Sequence, residues 1–258
     1  MIKTEIILDS INPVGKRLTT WRLTYPRFLH SEFLTHRVFS RNAASSRAIP
    51  LSRMIELVQQ NPALPEWWGG EQKGMQSGAE IEGREEALRL WLEASGGACS
   101  FAQWLGECGL HKSLCNRLLE PFAHMTIIAT ACEHENFFGL RAHADALPEF
   151  QVLAYSMLRR FIAESQAPQA LDWGQWHIPM DPGPCSPVEE RLARATARIA
   201  RVSYLREFNN STAEDDLALH GRLASAGHWS PFEHCAQAEP ELLSFSTFDT
   251  EPGDSSLD

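Results

Sequence analysis

Lysine is scarce in this chain: four of its 23 basic side chains are Lys and the other 19 are Arg. Long apolar runs are missing as well. No window approaches the ~20 uninterrupted apolar residues of a membrane-spanning helix, which excludes a helical membrane protein and predicts no membrane partner. The six cysteines, Cys99, Cys108, Cys115, Cys132, Cys185 and Cys235, are dispersed and never form C-x-x-C. That spacing gives no zinc or redox motif, and they read as reduced thiols. The first nine residues set Glu5 and Asp9 around the apolar ones and lack a small-residue cleavage site, so they read as no signal peptide and point to the cytoplasm. A formal charge of −10 opposes generic binding to nucleic acid. Six of its carboxylates (Glu239, Glu241, Asp249, Glu251, Asp254 and Asp258) fall in the last 20 residues. What remains is a globular chain of 258 residues, long enough to bury roughly 70–75% of its unfolded surface.

Residues 2–8 alternate apolar and polar, 16–25 do so less cleanly, and Asn12-Pro13 with Gly15 lies between, which predicts a strand pair joined by a turn. The apolar spacing from Arg27 to Phe39 predicts a helix opened by Pro26. Further helices are expected over 51–60, 80–94, 100–120, Glu133 to His143 and Pro148 to Gln166, with a buried strand from Phe122 to Ala131 and a Pro/Gly-rich loop over 61–78. The stretch from Ala167 to Pro187 holds five prolines and reads as a linker. Ser186-Pro187 then starts a helix with Glu189 and Glu190 in its first turn, and Ser211-Thr212-Ala213-Glu214 caps another that ends near Gly227. The expected domains are 1–60 with 113–245 as one catalytic unit, 61–112 as a helical insertion, and 246–258 as a disordered acidic tail.

Three windows concentrate polar chemistry. From Phe33 to Ile55 the chain has Arg37, Arg41, Arg47 and Arg53, the hydroxyls of Ser40, Ser45 and Ser46, the amide of Asn42, and no acid. Guanidiniums and hydroxyls in a small-residue turn suit a phosphate-bearing ligand; a solvated basic helix face accounts for the same composition. From Gly227 to His234 the chain places imidazoles, a hydroxyl and a carboxylate beyond a helix end, where they suit a heterocycle or simply a C-cap and turn. His124 with Glu133, His134, Glu135, Asn136, Arg141, His143 and Asp145 has the side chains for a divalent metal, as in a phosphohydrolase. The spacing matches no metal motif, however, and no metal ligand is assigned.

Taken together, these windows reach a family. Thr35-His36-Arg37, seven residues and then Ser45, followed by Arg47, resembles the R-H-R-x7-S signature of the flavin-dependent thymidylate synthases. Ala200-Arg201-Val202-Ser203-Tyr204 and Gly227-His228-Trp229-Ser230-Pro231-Phe232-Glu233-His234 resemble the A-R-V-S-Y and G-H-x-S-P-F-E-H segments of that family. Glu214-Asp215-Asp216-Leu217, Arg117-Leu118-Leu119-Glu120-Pro121 and Asn136-Phe137-Phe138-Gly139-Leu140-Arg141 match further segments. The order differs: in the usual family the A-R-V-S-Y and S-P-F-E-H segments come first. The resemblance is therefore to a circularly permuted, bacteriophage-type member, whose compartment would be the host cytoplasm. Termini that lie close together at the surface make such a permutation tolerable.

The resemblance implies an α+β fold with an antiparallel-dominated sheet and surrounding helices. It also implies C5 methylation of dUMP to dTMP, using 5,10-methylenetetrahydrofolate as one-carbon donor and hydride from NADPH carried by FAD. Arg141 is the implied catalytic cation, offsetting negative charge on the pyrimidine. Glu32, Thr35, Ser45, Ser46, Arg47, Arg117 and Arg141 are the implied substrate contacts. His36, Arg37, Asn42, Asn136, Ser203, His228, Ser230 and Glu233 are the implied FAD contacts. A pyrimidine deoxynucleotide monophosphate is the expected ligand and a homo-oligomer, a tetramer by resemblance, the expected assembly. Thr35 stands where the signature has Arg, Ala43-Ala44 replaces a pair that commonly includes Glu, and Glu32 stands where Gln is frequent. An ionised carboxylate only accepts hydrogen bonds, so Glu32 also suits a ring amino group. A dCMP substrate, a hydroxymethyl product and an inactive nucleotide- or flavin-binding scaffold are the alternatives these departures favour.

Overall fold

The computed structural model describes residues 1–164, 167–184, 186–204 and 211–240. The expected acidic tail and Cys185 lie outside the described residues. Strands β1 (Lys3–Ile11) and β2 (Arg17–Pro26) form an antiparallel pair across a turn at Gly15, whose φ of +84° is the left-handed conformation that glycine adopts without strain. β2 pairs along its length with β4 (His124–Ala131), and β3 (Ser40–Ala43) pairs with the other side of β4. The register sets Trp21 against Ala129, Leu23 against Ile127 and Tyr25 against Met125. Because side chains alternate across a strand, these residues all bury on one face. The other face carries Thr20 hydrogen-bonded to Thr130 at 2.7 Å and Thr24 to Thr126 at 2.9 Å.

Each face is covered by helices. On the aromatic face lie α1 (His30–Phe33), α5 (Glu135–Arg141) and α6 (Pro148–Arg159), burying Phe33, Phe137, Phe150, Leu153 and Met157 against β2 and β4. On the threonine face, Ile199 and Val202 pack on Ile128. They come from α7 (Val188–Ala200) and the 3-10 turn that follows it. A second core joins α2 (Leu51–Gln60), α3 (Arg84–Glu107) and the turn Asn116–Phe122 that follows α4 (Lys112–Cys115), with Met54, Val58, Cys99, Ala102 and Leu119 buried. A Cβ on Gly106 would lie 2.6 Å from Cδ2 of Leu51, so a larger residue there would require the Leu51 side chain to move. The remaining elements are β5 (Gln169–Ala170), β6 (Trp176–His177), α8 (Ala213–Ser225) and β7 (Ala236–Gln237), the last paired with β6.

Three expectations need correction. The main sheet, ordered β3-β4-β2-β1-β5, is mixed and not antiparallel-dominated, because β5 joins β1 in parallel at Ser10 and Ile11. A two-residue strand inside a Pro-rich stretch has no alternation to betray it. The helix expected over 27–39 is only a 3-10 turn (Arg27–Leu29) and α1. Beyond Leu34 the chain reverses so that Ser40–Ala43 can pair with β4, and Phe33 and Phe39 meet in the core at 5.3 Å between ring centroids. Tertiary pairing outweighs the apolar period here. Finally, the helices expected over 80–94 and 100–120 are one continuous helix that runs through Gly96-Gly97 and ends at Glu107. Packing of Ser95, Cys99 and Ala102 outweighs the roughly 1 kcal/mol that each glycine costs a helix interior.

Among the described residues no helix is long and apolar enough to cross a membrane. Their five cysteines are free thiols.

Candidate functional site

Arg141 ends α5, where its guanidinium is fixed from three sides. Its Nε donates to Nε2 of His36 at 2.9 Å, one Nη lies 3.6 Å from Glu32, and its Cζ sits 4.6 Å from the centroid of the Phe150 ring. The side chain is 21% exposed, and that exposed part faces a cavity of 1230 Å³. His36 is buried, and burial first, then the charges of Arg141 and Arg41, hold its pKa down to about 4. It is therefore neutral at pH 7 and accepts from Arg141, leaving the positive charge on the guanidinium. Local folding explains the placement. The reversal from Leu34 to Phe39 is closed by Arg41, whose Nη1 donates to the carbonyls of Leu34 (3.1 Å) and His36 (3.3 Å). Thr35 donates its hydroxyl to the Glu32 carbonyl at 2.7 Å.

β3 leads from this turn to a second group of candidates. Asn42 is buried; its Nδ2 donates to the Ile199 carbonyl at 2.8 Å, and its Oδ1 accepts from Ser230 at 3.3 Å. Ser203 donates to the Ala43 carbonyl at 3.3 Å, and the Ser45 amide donates to the Ser203 carbonyl at 3.2 Å. Segments 157 to 188 residues apart in sequence thus meet along one edge strand. Asn42 and Ser203 are engaged within the fold, whereas Arg37, Asn136, His228 and Glu233 are exposed.

Beyond β3, Ser46 is buried and donates to Glu120 at 2.6 Å. Glu120 also receives Arg27 and Arg117, each at 3.1 Å. Arg47 is exposed. The structure thus ties Ser46 and Arg117 to one carboxylate and sets Glu32, His36 and Arg141 together, with β3 running between the two groups.

The model of the thymidylate synthase complementing protein family matches residues 17–169. The chain belongs to that family. The match holds the reversal at His36, β3, β4 and Arg141; the segments at 200–204 and 227–234 lie beyond it. Two solved structures share the fold. One is the UMP/dUMP methylase PolB from Streptomyces cacaoi bound with 5-Br UMP, 15% identical, covering 62% of this chain and 88% of that chain with a TM-score of 0.51. The other is the same methylase bound with 5-Br dUMP, also 15% identical, covering 62% and 90% with a TM-score of 0.52. No curated protein matches the chain.

The third window is not assembled. His124 opens β4 and contacts the Met1 amino group, while His134 lies beyond the other end of that strand with its Nε2 accepting from Trp21 at 3.0 Å. Among the described residues no three His, Cys, Asp or Glu side chains gather to hold a metal.

Several polar partnerships escaped sequence reasoning, although Asp216, Arg201 and His234 stand inside the quoted segments. Asp216, fully buried, receives Arg201 at 2.8 Å and Arg198 at 3.3 Å, with Arg194 at 3.8 Å, and so clamps α8 to α7. A buried chain of hydrogen bonds runs Ser10, His177, Thr20, Thr130, His234 at 2.7–2.9 Å. Glu120 stands in the Arg117 to Pro121 match, but nothing in the sequence marks it as the partner of Ser46. His177 sits in the Pro-rich stretch, where nothing in the pattern marks it.

Proposed function

We propose that this protein methylates dUMP at C5 to give dTMP, with 5,10-methylenetetrahydrofolate as one-carbon donor and NADPH as source of the hydride. The observation that carries the reading is the Arg141 guanidinium, held by His36, Glu32 and Phe150 at the edge of a large cavity in a chain of this family. A fixed cation there stabilises negative charge on a pyrimidine ring as its C5 position forms a carbon bond and loses its proton, the logic of an oxyanion hole. Neutral His36 orients that cation and takes none of its charge. On this reading Ser45, Ser46, Arg47 and Arg117, with Thr35 and Glu32, are the nucleotide contacts; of these Glu32 lines the Arg141 cavity and the others lie outside its lining. The Arg47 and Arg117 forks suit the 5′-phosphate. The neighbouring fold of a methylase bound to 5-Br UMP and 5-Br dUMP supports a uridine nucleotide.

The resident cofactor of this reading is FAD, which when bound supplies the hydride that completes the methyl group. The available donor set fits it: Arg37, His228 and Asn136 are exposed donors suited to a diphosphate and an electron-rich ring, and Glu233 accepts from hydroxyls. Asn42, Ser203 and Ser230 act one step back, bracing β3. The packing of 199–203 and Ser230 against β3 supports a circular permutation, because segments that precede the signature in the usual order reach it here from the far end of the chain. An apolar strip on α3, with Phe101 and Trp104 each more than half exposed, supports a homo-oligomer.

The test is tritium release from 5-tritiated dUMP by the FAD-supplemented protein with methylenetetrahydrofolate and NADPH. Release is expected, with bleaching of a bound flavin band on anaerobic NADPH addition; a protein that never holds flavin overturns the reading. A second reading, with dCMP as substrate or a hydroxymethyl product, rests on Glu32, whose carboxylate stands beside Arg141. Faster turnover of dCMP than dUMP would select it.

A further inference from the structure

α3 covers the second core with one face and leaves another open to solvent. Ser95, Cys99 and Ala102 are buried, whereas Leu90, Phe101 and Trp104 are 51%, 59% and 54% exposed. The open face is regularly spaced. Ala87, Leu90, Ala94, Gly97, Phe101 and Trp104 follow one another at alternating steps of three and four residues, the spacing of an a/d seam between two coiled helices. The middle of this seam is small for no reason internal to the described residues. A Cβ on Gly96 or Gly97 would meet nothing within 4 Å, yet glycine is disfavoured in a helix interior. A partner helix lying close over position 97 accounts for a glycine that the single copy does not need.

The seam is complementary to its own reverse. Laid antiparallel about a two-fold axis level with Ser95 and Gly96, Ala87 faces the partner's Trp104, Leu90 faces the partner's Phe101, and Ala94 faces the partner's Gly97. No layer sets two aromatics together and none is left empty. A parallel pair would stack Trp104 on the partner's Trp104 and leave a void at Gly97. The overlap of 18 residues, 87–104, is about 27 Å of helix. The exposed halves of Phe101 and Trp104 supply roughly 100 Å² each. With the rest of the seam and its rim, the two-fold contact covers on the order of 1,000 Å², the size at which an interface holds in solution. We propose that α3 is a self-association face on which a second copy of this chain lays its own α3 antiparallel. The contact is built by the 61–112 stretch, outside the segments that carry the family resemblance. The proposal rests on the homo-oligomer reading and not on the methylation chemistry. The flanks add no attraction: the same axis brings Glu86 near Glu107 of the partner subunit, while Arg89 is held within its own helix by Glu86 and Glu93.

Sedimentation velocity of the full chain over a dilution series, with thermal melts to check folding, tests this. Gly97→Leu places its side chain in open space in a single copy and against the facing backbone in the pair. It is expected to fold and to weaken association about tenfold or more through overpacking, halving the mass of the largest species. Gly96→Ala, off the seam, makes the same kind of gain in helix propensity and should leave association unchanged. Glu107→Lys meets the partner's Glu86 only in the antiparallel pair and should tighten association about threefold; in a parallel pair it would set lysine against lysine. Gly97→Leu that folds and associates like the wild type overturns the proposal and leaves the homo-oligomer reading standing on another face. Glu107→Lys that weakens association overturns the antiparallel arrangement. Wild-type protein that stays a single copy at every dilution overturns both the proposal and the homo-oligomer reading.

Discussion

Arg141 and His36 act as a pair in which the imidazole supplies geometry and the guanidinium supplies charge. Arg141→Ala is expected to lower tritium release from 5-tritiated dUMP by about 100- to 1000-fold, the range seen when a charge-stabilising donor is removed. Arg141→Lys should recover little, because an ammonium cannot donate along the Nε direction to His36 while also meeting Glu32. Burial holds the His36 pKa near 4, so the kcat/KM profile for dUMP should carry no His36 inflection between pH 5 and 8. An inflection near pH 6.5 that disappears in His36→Gln would contradict this. Ser46→Ala removes the 2.6 Å donation to Glu120 in a buried setting, and a cost of about 1–3 kcal/mol is expected in urea denaturation. The candidate residues were picked out in sequence because Ser45, Arg47 and Arg117 carry the family resemblance, with Ser46 beside them. Their partners were not, because Glu120 is 74 residues from Ser46 and only folding brings the two together.

At the scale of elements, the clamp between α7 and α8 turns on one carboxylate. Asp216 is fully buried with Arg201 and Arg198 bonded to it and Arg194 nearby. Removing one partner of a buried ionic group leaves the others uncompensated, so Asp216→Asn should cost about 3–5 kcal/mol in guanidinium unfolding. The same variant should loosen the packing of 199–203 on β3, because α7 delivers the Ile199 carbonyl to Asn42. α2 and the two helices around 188–225 follow the sequence pattern closely, since amphipathic period, Pro187 and the Thr212 cap agree there. The reversal at 34–39 defied the pattern. In the turn Phe33 and Phe39 reach the core while Leu34 and Val38 are left exposed, and the demand of β4 for a partner strand decides between helix and turn.

For the whole molecule, six histidines, His30, His36, His124, His134, His177 and His234, have pKa values lowered to about 4, each with burial as the first cause. Between pH 6.5 and 4 the unfolded chain takes up protons that the folded chain refuses, so stability rises with pH across that window and is lost as pH falls. The melting temperature is expected to drop steadily from pH 7 to pH 4, and His177→Gln should flatten part of that slope. Under the proposed homo-oligomer, Phe101→Ser with Trp104→Ser should shift the sedimenting species toward smaller mass; an unchanged profile would remove α3 as its interface.

The sequence by itself determined the family, the strand pair and the main helices, because these rest on local periodicity, caps and contiguous motifs. Only the tertiary structure decided that β5 closes the sheet in parallel, that α3 runs unbroken through its glycines, and that residues of the 61–83 stretch line the Arg141 cavity. Those outcomes depend on contacts between residues far apart in the chain, whose energies outweigh local preference and leave no periodic trace in the sequence.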